Sequence, residues 1–465
     1  MNRPPMHRMI RATIIICATL AALTLTGCRE EPESDRVLVT YWEKWTGFEG
    51  EAMRDTVDAF NAVQDRIEVK LLTTSQIDRK MLMATAGGIP PDVAGLWSNN
   101  VIPYADKNAL MPLDEYMAES GIGEDAYISR YWDICHHNGH LWGLPSTPAS
   151  LALHWNKQLF REAGLDPEKP PETIEELDEY AAILTKRDAD GDIEQIGFMP
   201  AEPGWWPWAW GPYFGGELWN GEDKITATHP GNIRAMEWVR GYAERLGVQQ
   251  LQVFSSGFGN FSSPENPFLS GIVAMELQGV WMHNFVEKYA PDLEWGAAPF
   301  PYPADRPDLK NCTPVEADVL VIPRGSEHPD EAFEFIRFVN QQKGSEILNM
   351  GQRKFTPLLD VTDWFLAEHP NPYIEVFIDL AKSENAFIPP QMPLWQEYSN
   401  EMTTAFDQVW LKTKTPEEAL VDVETRMQGR LDRDLRRYER AGMQYGEPDT
   451  AEAEEVPPAV RQKTR

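Results

Sequence analysis

Positive charge is scarce in this sequence. Its 42 lysines and arginines face 73 acidic residues, for a formal net charge of −31. That balance argues against nucleic acid, whose phosphates demand basic patches, and says nothing about fold. Long apolar runs are scarce too. One of 14 residues, Ala12 to Leu25, lies near the start. It falls short of the roughly 20 needed for a membrane span, and no second run reaches that length. Catalytic signatures are missing: no Ser-His-Asp or zinc pattern occurs at recognisable spacing, and no phosphate loop. Cys135-His136-His137 has no regular ligand spacing and reads as a loop or strand end. Asp188-Ala189-Asp190-Gly191-Asp192 starts like a calcium loop. Its glycine comes two places early, however, and Met199 stands where a glutamate is needed, so it reads as a solvated turn. No metal and no cofactor is expected. There is no internal repeat.

The apolar run is preceded by Arg3, Arg8 and Arg11 and followed by Leu25-Thr26-Gly27-Cys28. This is the pattern of a secretory signal peptide, and its last four residues resemble a bacterial lipobox. The resemblance implies cleavage after residue 27, diacylation of Cys28 and a lipid anchor to the membrane outside the cytoplasm, in the periplasm or at the cell surface. An ordinary signal peptide with an incidental cysteine is the alternative. Residues 28–36 read as a polar tether, and the acidic, aperiodic residues 446–465 as disordered. Without the three signal arginines the charge is close to −34. The remaining chain is long enough for two or three domains. Of the four cysteines, Cys17 leaves with the signal and Cys28 carries lipid. Cys135 and Cys312 are left as candidates for a disulfide in an oxidising compartment.

The body of the chain alternates strand and helix patterns. Residues 36–42 predict a buried strand. Met53, Val57, Phe60 and Val63 fall at helical spacing. Ile67, Val69 and Leu71 alternate with polar residues, 76–86 predicts a helix, and Asp92 to Trp97 a further strand. Strand–helix–strand–helix–strand implies a parallel sheet with helices on its faces. A second such unit follows Pro145. Thr173 and Glu176, and again Thr415 and Glu418, form capping boxes that open helices. Ligands of open parallel sheets collect beyond the carboxyl ends of the strands. Trp42 and Trp97 stand at two such ends and are expected at one rim. Seventeen tryptophans are present. Trp205, Trp206 and Trp208 lie among glycines and prolines without helical or strand period, which suits a wet crevice; core packing is the competing use.

Several stretches, in order, resemble one family. They are Ala152 to Leu165, Phe268 to Met275 with Gly279-Val280-Trp281, Val321 to Ala332, Phe355-Thr356-Pro357, and Thr415 to Leu420. Together they are similar to the extracellular solute-binding proteins that serve ABC sugar importers, the maltose-binding-protein-like group. The resemblance implies a two-lobed α/β periplasmic-binding-protein fold, parallel-rich sheets flanked by helices, with an interlobe cleft. Lobe one takes 37–146 plus 316–360, and lobe two 147–315 plus 361–445. It implies a monomer that is not an enzyme, a carbohydrate ligand, and the transmembrane subunits of an ABC permease as partners. Carried onto this chain, it places Trp42, Glu43, Trp45, Trp97, Ser98, Asn99, Trp281 and Arg353 near the ligand. One departure is Pro314-Val315-Glu316-Ala317-Asp318, where the family often has glycines. Glu316 and Asp318 alternate and so face one side of a strand, either bonding ligand hydroxyls or solvating an edge. Rival readings keep the fold but bind a polyamine, a peptide or glycerol phosphate. A glycoside-active enzyme would instead cast Glu43, Glu276, Glu316 and Asp318 as acid and base.

Overall fold

A computed structural model describes residues 36–259, 262–443 and 445–446. The expected signal peptide, Cys28, all but the last residue of the tether and all but the first of the tail lie outside these residues. Among the described residues, twelve strands run in chain order: β1 (Val37–Glu43), β2 (Ile67–Thr73), β3 (Val93–Trp97), β4 (His136–His137), β5 (His140–Leu141), β6 (Leu144–Asn156), β7 (Lys186–Arg187), β8 (Ile193–Phe198), β9 (Val273–Gly279), β10 (Trp295–Ala298), β11 (Thr313–Val321) and β12 (Ala386–Phe387). Ten share one sheet in the order β2-β1-β3-β11-β6-β9-β8-β7, with β10 on β6 and β12 on β11; β4 and β5 form a separate hairpin. The expected parallel pairing holds for β1 with β2 and β3.

The sheet joins two lobes. Leu144–Ser150 of β6 pairs with β11, whereas Leu151–Asn156 pairs with β9 and β10. Every residue of β6 is buried, as befits a strand covered on both faces. β11 likewise runs from β12 at Thr313 to β3 at Asp318–Val321. One core gathers Val39, Tyr41, Phe60, Leu96 and Phe335. The other gathers Leu153, Ile196, Phe198, Met275 and Tyr398. Each fully buried side chain of this kind stabilises its lobe by roughly 1.5–3 kcal/mol.

Helix Gly47–Val63 buries Met53, Val57 and Phe60 at the expected spacing, while Val63 at its end is exposed. Both capping boxes form: Thr173 accepts from the Glu176 amide and Thr415 from the Glu418 amide, with each glutamate bonding back. The helix opened by the second box runs over Pro416–Ala441. Asp188 accepts from the Asp190 and Asp192 amides and so closes the turn between β7 and β8. No helix among the described residues is long and apolar enough to cross a membrane.

The disulfide expectation is corrected. Cys135 is a buried free thiol in the first core and Cys312 a buried free thiol in the second. Burial pushes the Cys135 thiol far above its ordinary range and Cys312 up to about 12. Each behaves as a small apolar packing residue.

Candidate functional site

The carboxyl end of β1 begins the site. Alternation sends Val39, Tyr41 and Glu43 into the interior. The Glu43 carboxylate lies over Gly95 of β3, where any Cβ would overlap it. Glu43 accepts from the Tyr41 hydroxyl, from the Lys44 amide at 2.7 Å and from Lys44 Nζ at 3.2 Å. Lys44 Nζ then reaches Asp318 Oδ1 at 3.0 Å.

Asp318 stands where three strands meet, opposite Trp97 of β3 and Thr147 of β6. Its Oδ2 accepts from Trp45 Nε1 at 3.1 Å and from the Thr147 hydroxyl. Lys354 Nζ lies 4.0 Å from the same oxygen and 3.3 Å from Glu49 Oε1. Lys354 is delivered by a sharp turn after helix Gln342–Gln352, where Arg353 adopts left-handed φ of 56°. Burial alone would raise the Asp318 carboxyl, but Lys44 and Lys354 hold it below the usual carboxylate range. Burial alone would lower Lys44, but Asp318 and Glu43 hold it above its ordinary value. Glu49 is raised by burial, which Lys354 offsets only in part.

Indoles from both sides of the sheet surround this charge network. Trp45 and Trp97 meet edge to face, their centroids 6.3 Å apart. Lys44 Nζ lies 4.9 Å and 5.1 Å from their centres. Trp281, at the start of helix Met282–Tyr289, joins them with Trp205 and Trp206, whose rings lie 6.3 Å and 6.1 Å from it. Lys354 Nζ sits between the two groups, 5.3 Å from Trp45 and 5.9 Å from Trp281. Trp97 and Trp205 remain 41% and 40% exposed, so indole faces stay open to solvent.

Three further carboxyls rise toward neutrality. Burial pushes Glu316 up to about 7, against a hydrogen bond from Trp206. Burial and then Glu202 push Glu276 up to about 8, and burial takes Glu202 to about 7. Glu316 and Asp318 do face one side of β11: Trp206 bonds the first, and Trp45 the second.

Of the residues expected at the site, the fold therefore gathers Glu43, Trp45, Trp97, Trp205, Trp206, Trp281, Glu316 and Asp318. Ser98 and Asn99 line an adjoining crevice with Gln391, Met392 and Trp395. Three expectations are corrected. Trp42 lies on the other face of β1 from Glu43 and packs, half-buried, on the first core. Trp208 is buried edge-on against Trp395, at 5.1 Å, and Phe387. Arg353 pairs with Glu287; its neighbour Lys354 is the inward cation. Lys44, Lys354, Glu49, Thr147 and Glu202 were not foreseen. Lys44 gave a signal, since it lies inside Trp42-Glu43-Lys44-Trp45. Glu49, Thr147 and Lys354 gave none, because only the tertiary fold brings them beside Asp318.

Comparison with known proteins fits this architecture. The profile of the bacterial extracellular solute-binding protein family matches residues 48–346. A solved structure of CpMnBP1 with mannotriose bound superposes with a TM-score of 0.74 and 28% identity, covering 84% of this chain and 99% of that one. UgpB of Mycobacterium tuberculosis, in complex with glycerophosphocholine, gives a TM-score of 0.67 and 21% identity over 85% of this chain and 99% of that one. A maltotriose-binding protein of Pyrococcus abyssi is 21% identical over 66% of this chain and 64% of its own length. A two-lobed sheet, a charged aromatic site between its halves and a family match over most of its length leave one assignment: this chain belongs to the bacterial extracellular solute-binding proteins, the ligand-capturing components of ABC importers.

Proposed function

We propose that the chain captures a carbohydrate, a mono- or oligosaccharide, between lobe one (37–146 plus 316–360) and lobe two (147–315 plus 361–445). The observation that carries this reading is the convergence of Trp45 and Trp97 with Trp205 and Trp281 around Asp318, Lys44 and Lys354. A sugar has apolar C–H faces and a rim of hydroxyls. Indole faces bury the first, and charged side chains fix the second through charge-assisted hydrogen bonds.

The charge balance selects against an anionic ligand. Lys44 and Lys354 each already pair with two carboxylates. A phosphate dianion would have to break those pairs in a partly desolvated site. A cation meets the opposite obstacle, because two ammonium groups already lie over three of the indole rings. A neutral polyol avoids both costs. The mannotriose-bound relative at 28% identity supports the same ligand class.

Ligand bridging the two indole groups stabilises the closed form by its differential affinity for it, and the closed form docks on permease subunits. Cys28 carries the lipid that holds the protein outside the cytoplasm. Calorimetric titration with mannotriose, maltotriose, glycerophosphocholine and spermidine tests the reading. A saccharide is expected to bind, and Trp281→Ala to weaken it about tenfold or more with little loss of melting temperature. Binding of glycerophosphocholine or spermidine with no response to any saccharide would sink it.

A further inference from the structure

We propose that Glu276, Gln278 and Gly279 are positioning residues that set the Trp281 indole in its binding attitude; the ligand half of this inference rests on the carbohydrate reading above. All three precede Trp281 at the end of β9, and all are buried. Gln278 Oε1 accepts from Trp281 Nε1 at 3.1 Å and from the Gly279 amide at 3.0 Å. Its Nε2 donates to Glu276 Oε1 at 2.8 Å. The amide can point only one way. Reversed, its NH2 would face two N–H donors and its oxygen a carboxyl acceptor. Glu276 thus fixes Gln278, and Gln278 fixes the indole edge.

Gly279 fixes the ring plane. A Cβ at that position would enter the six-membered ring of Trp281. The backbone there is not in the left-handed region, so it would accept alanine without strain. The absence of a side chain at 279 is therefore needed for the ring's seat and not for the turn. Tethered at its edge and seated on Gly279, the indole is held beside Trp206 and Lys354. Glu276 supplies a second argument. Among the described residues its Oε2 has no hydrogen-bond partner in a fully buried setting, which costs stability. Its Oε1 accepts from the amide that holds Trp281. A buried carboxyl retained at such a cost fits a positioning role.

The test separates geometry from ligand. Indole N–H resonances of the ligand-free full chain are recorded, with the Trp281 signal identified by its loss in Trp281→Phe. Gln278→Met is expected to speed solvent exchange of that proton about tenfold, leaving the Trp395 indole unchanged. Gly279→Ala is expected to shift the same resonance and to lower the melting temperature, yet to be silent in a Trp281→Ala background. With mannotriose as probe, Gln278→Met and Gly279→Ala should each weaken binding about tenfold. Unchanged Trp281 exchange in Gln278→Met, or equal melting-temperature losses for Gly279→Ala in both backgrounds, overturns the hydrogen-bonded seat. A seat lost with mannotriose affinity intact overturns the positioning role. If the parent protein binds no saccharide at all, the carbohydrate reading fails, while the exchange and melting data still decide the seat.

Discussion

Replacing Asp318 by asparagine keeps the shape of the side chain and removes the charge on which the site is organised. In the native protein that carboxylate faces Lys44 at 3.0 Å, Lys354 at 4.0 Å and the Trp45 indole at 3.1 Å, all within a nearly dry interior. Removing one partner of a buried ion pair costs about 3–5 kcal/mol, because the other charge is stranded. Here each lysine keeps one carboxylate, Glu43 for Lys44 and Glu49 for Lys354. The loss should therefore fall near the lower end, about 3 kcal/mol. The pH dependence is fixed in sign. The folded state holds the Asp318 carboxyl below its ordinary range, so its stabilisation is complete above the unfolded value of about 4. It is lost as pH falls through the lower folded value. Equilibrium denaturation of parent and Asp318→Asn proteins should differ by a constant amount between about pH 5 and pH 7 and converge below about pH 4. Mannotriose affinity should fall with the stability. Equal stability at pH 7, or a gap that widens on acidification, would refute the view that Asp318 anchors the two lysines.

The raised carboxyls give the opposite pH trend. Glu202, Glu276 and Glu316 are pushed to about 7, 8 and 7 in the folded protein, so they favour folding at low pH and their contribution is lost as pH rises through those values; Glu276→Gln should flatten the decline in melting temperature between about pH 6 and pH 8. Cys135 and Cys312 should react with a thiol reagent only after denaturation, and reductant should leave the melting temperature unchanged; a shift would restore the disulfide. Thr415→Ala removes the side-chain cap of the final helix and should cost about 1 kcal/mol by denaturant titration, with Thr415→Ser recovering most of it.

Local order was legible in the residues. The β-prone run at residues 36–42, helical spacing at Met53, Val57 and Phe60, and the Thr-x-x-Glu boxes each depend on neighbours within a few positions, and strand, helix and caps formed as expected, although β1 alternates between buried and half-exposed positions. The aromatic stretch was only half legible. Glycines and prolines between Trp205 and Trp208 pointed to a loop, but side-chain direction there depends on what packs against each ring. Trp205 stays exposed, whereas Trp208 is taken up by Trp395 and Phe387. At Trp42 the strand assignment held and the facing did not, because the rim lies on the Glu43 side of β1.

By itself the sequence determined the α/β layering, the capped helices, the acidic surface and the supply of indoles and carboxylates, since periodicity, capping and composition act locally. Only the tertiary structure decided which of those groups meet. Asp318 acquires Lys44 and Lys354 from segments hundreds of residues and tens of residues away, through strand register and a left-handed turn. Such pairings depend on how β6 and β11 carry the sheet from one lobe to the other. That geometry arises from long-range packing, which no short window of residues encodes.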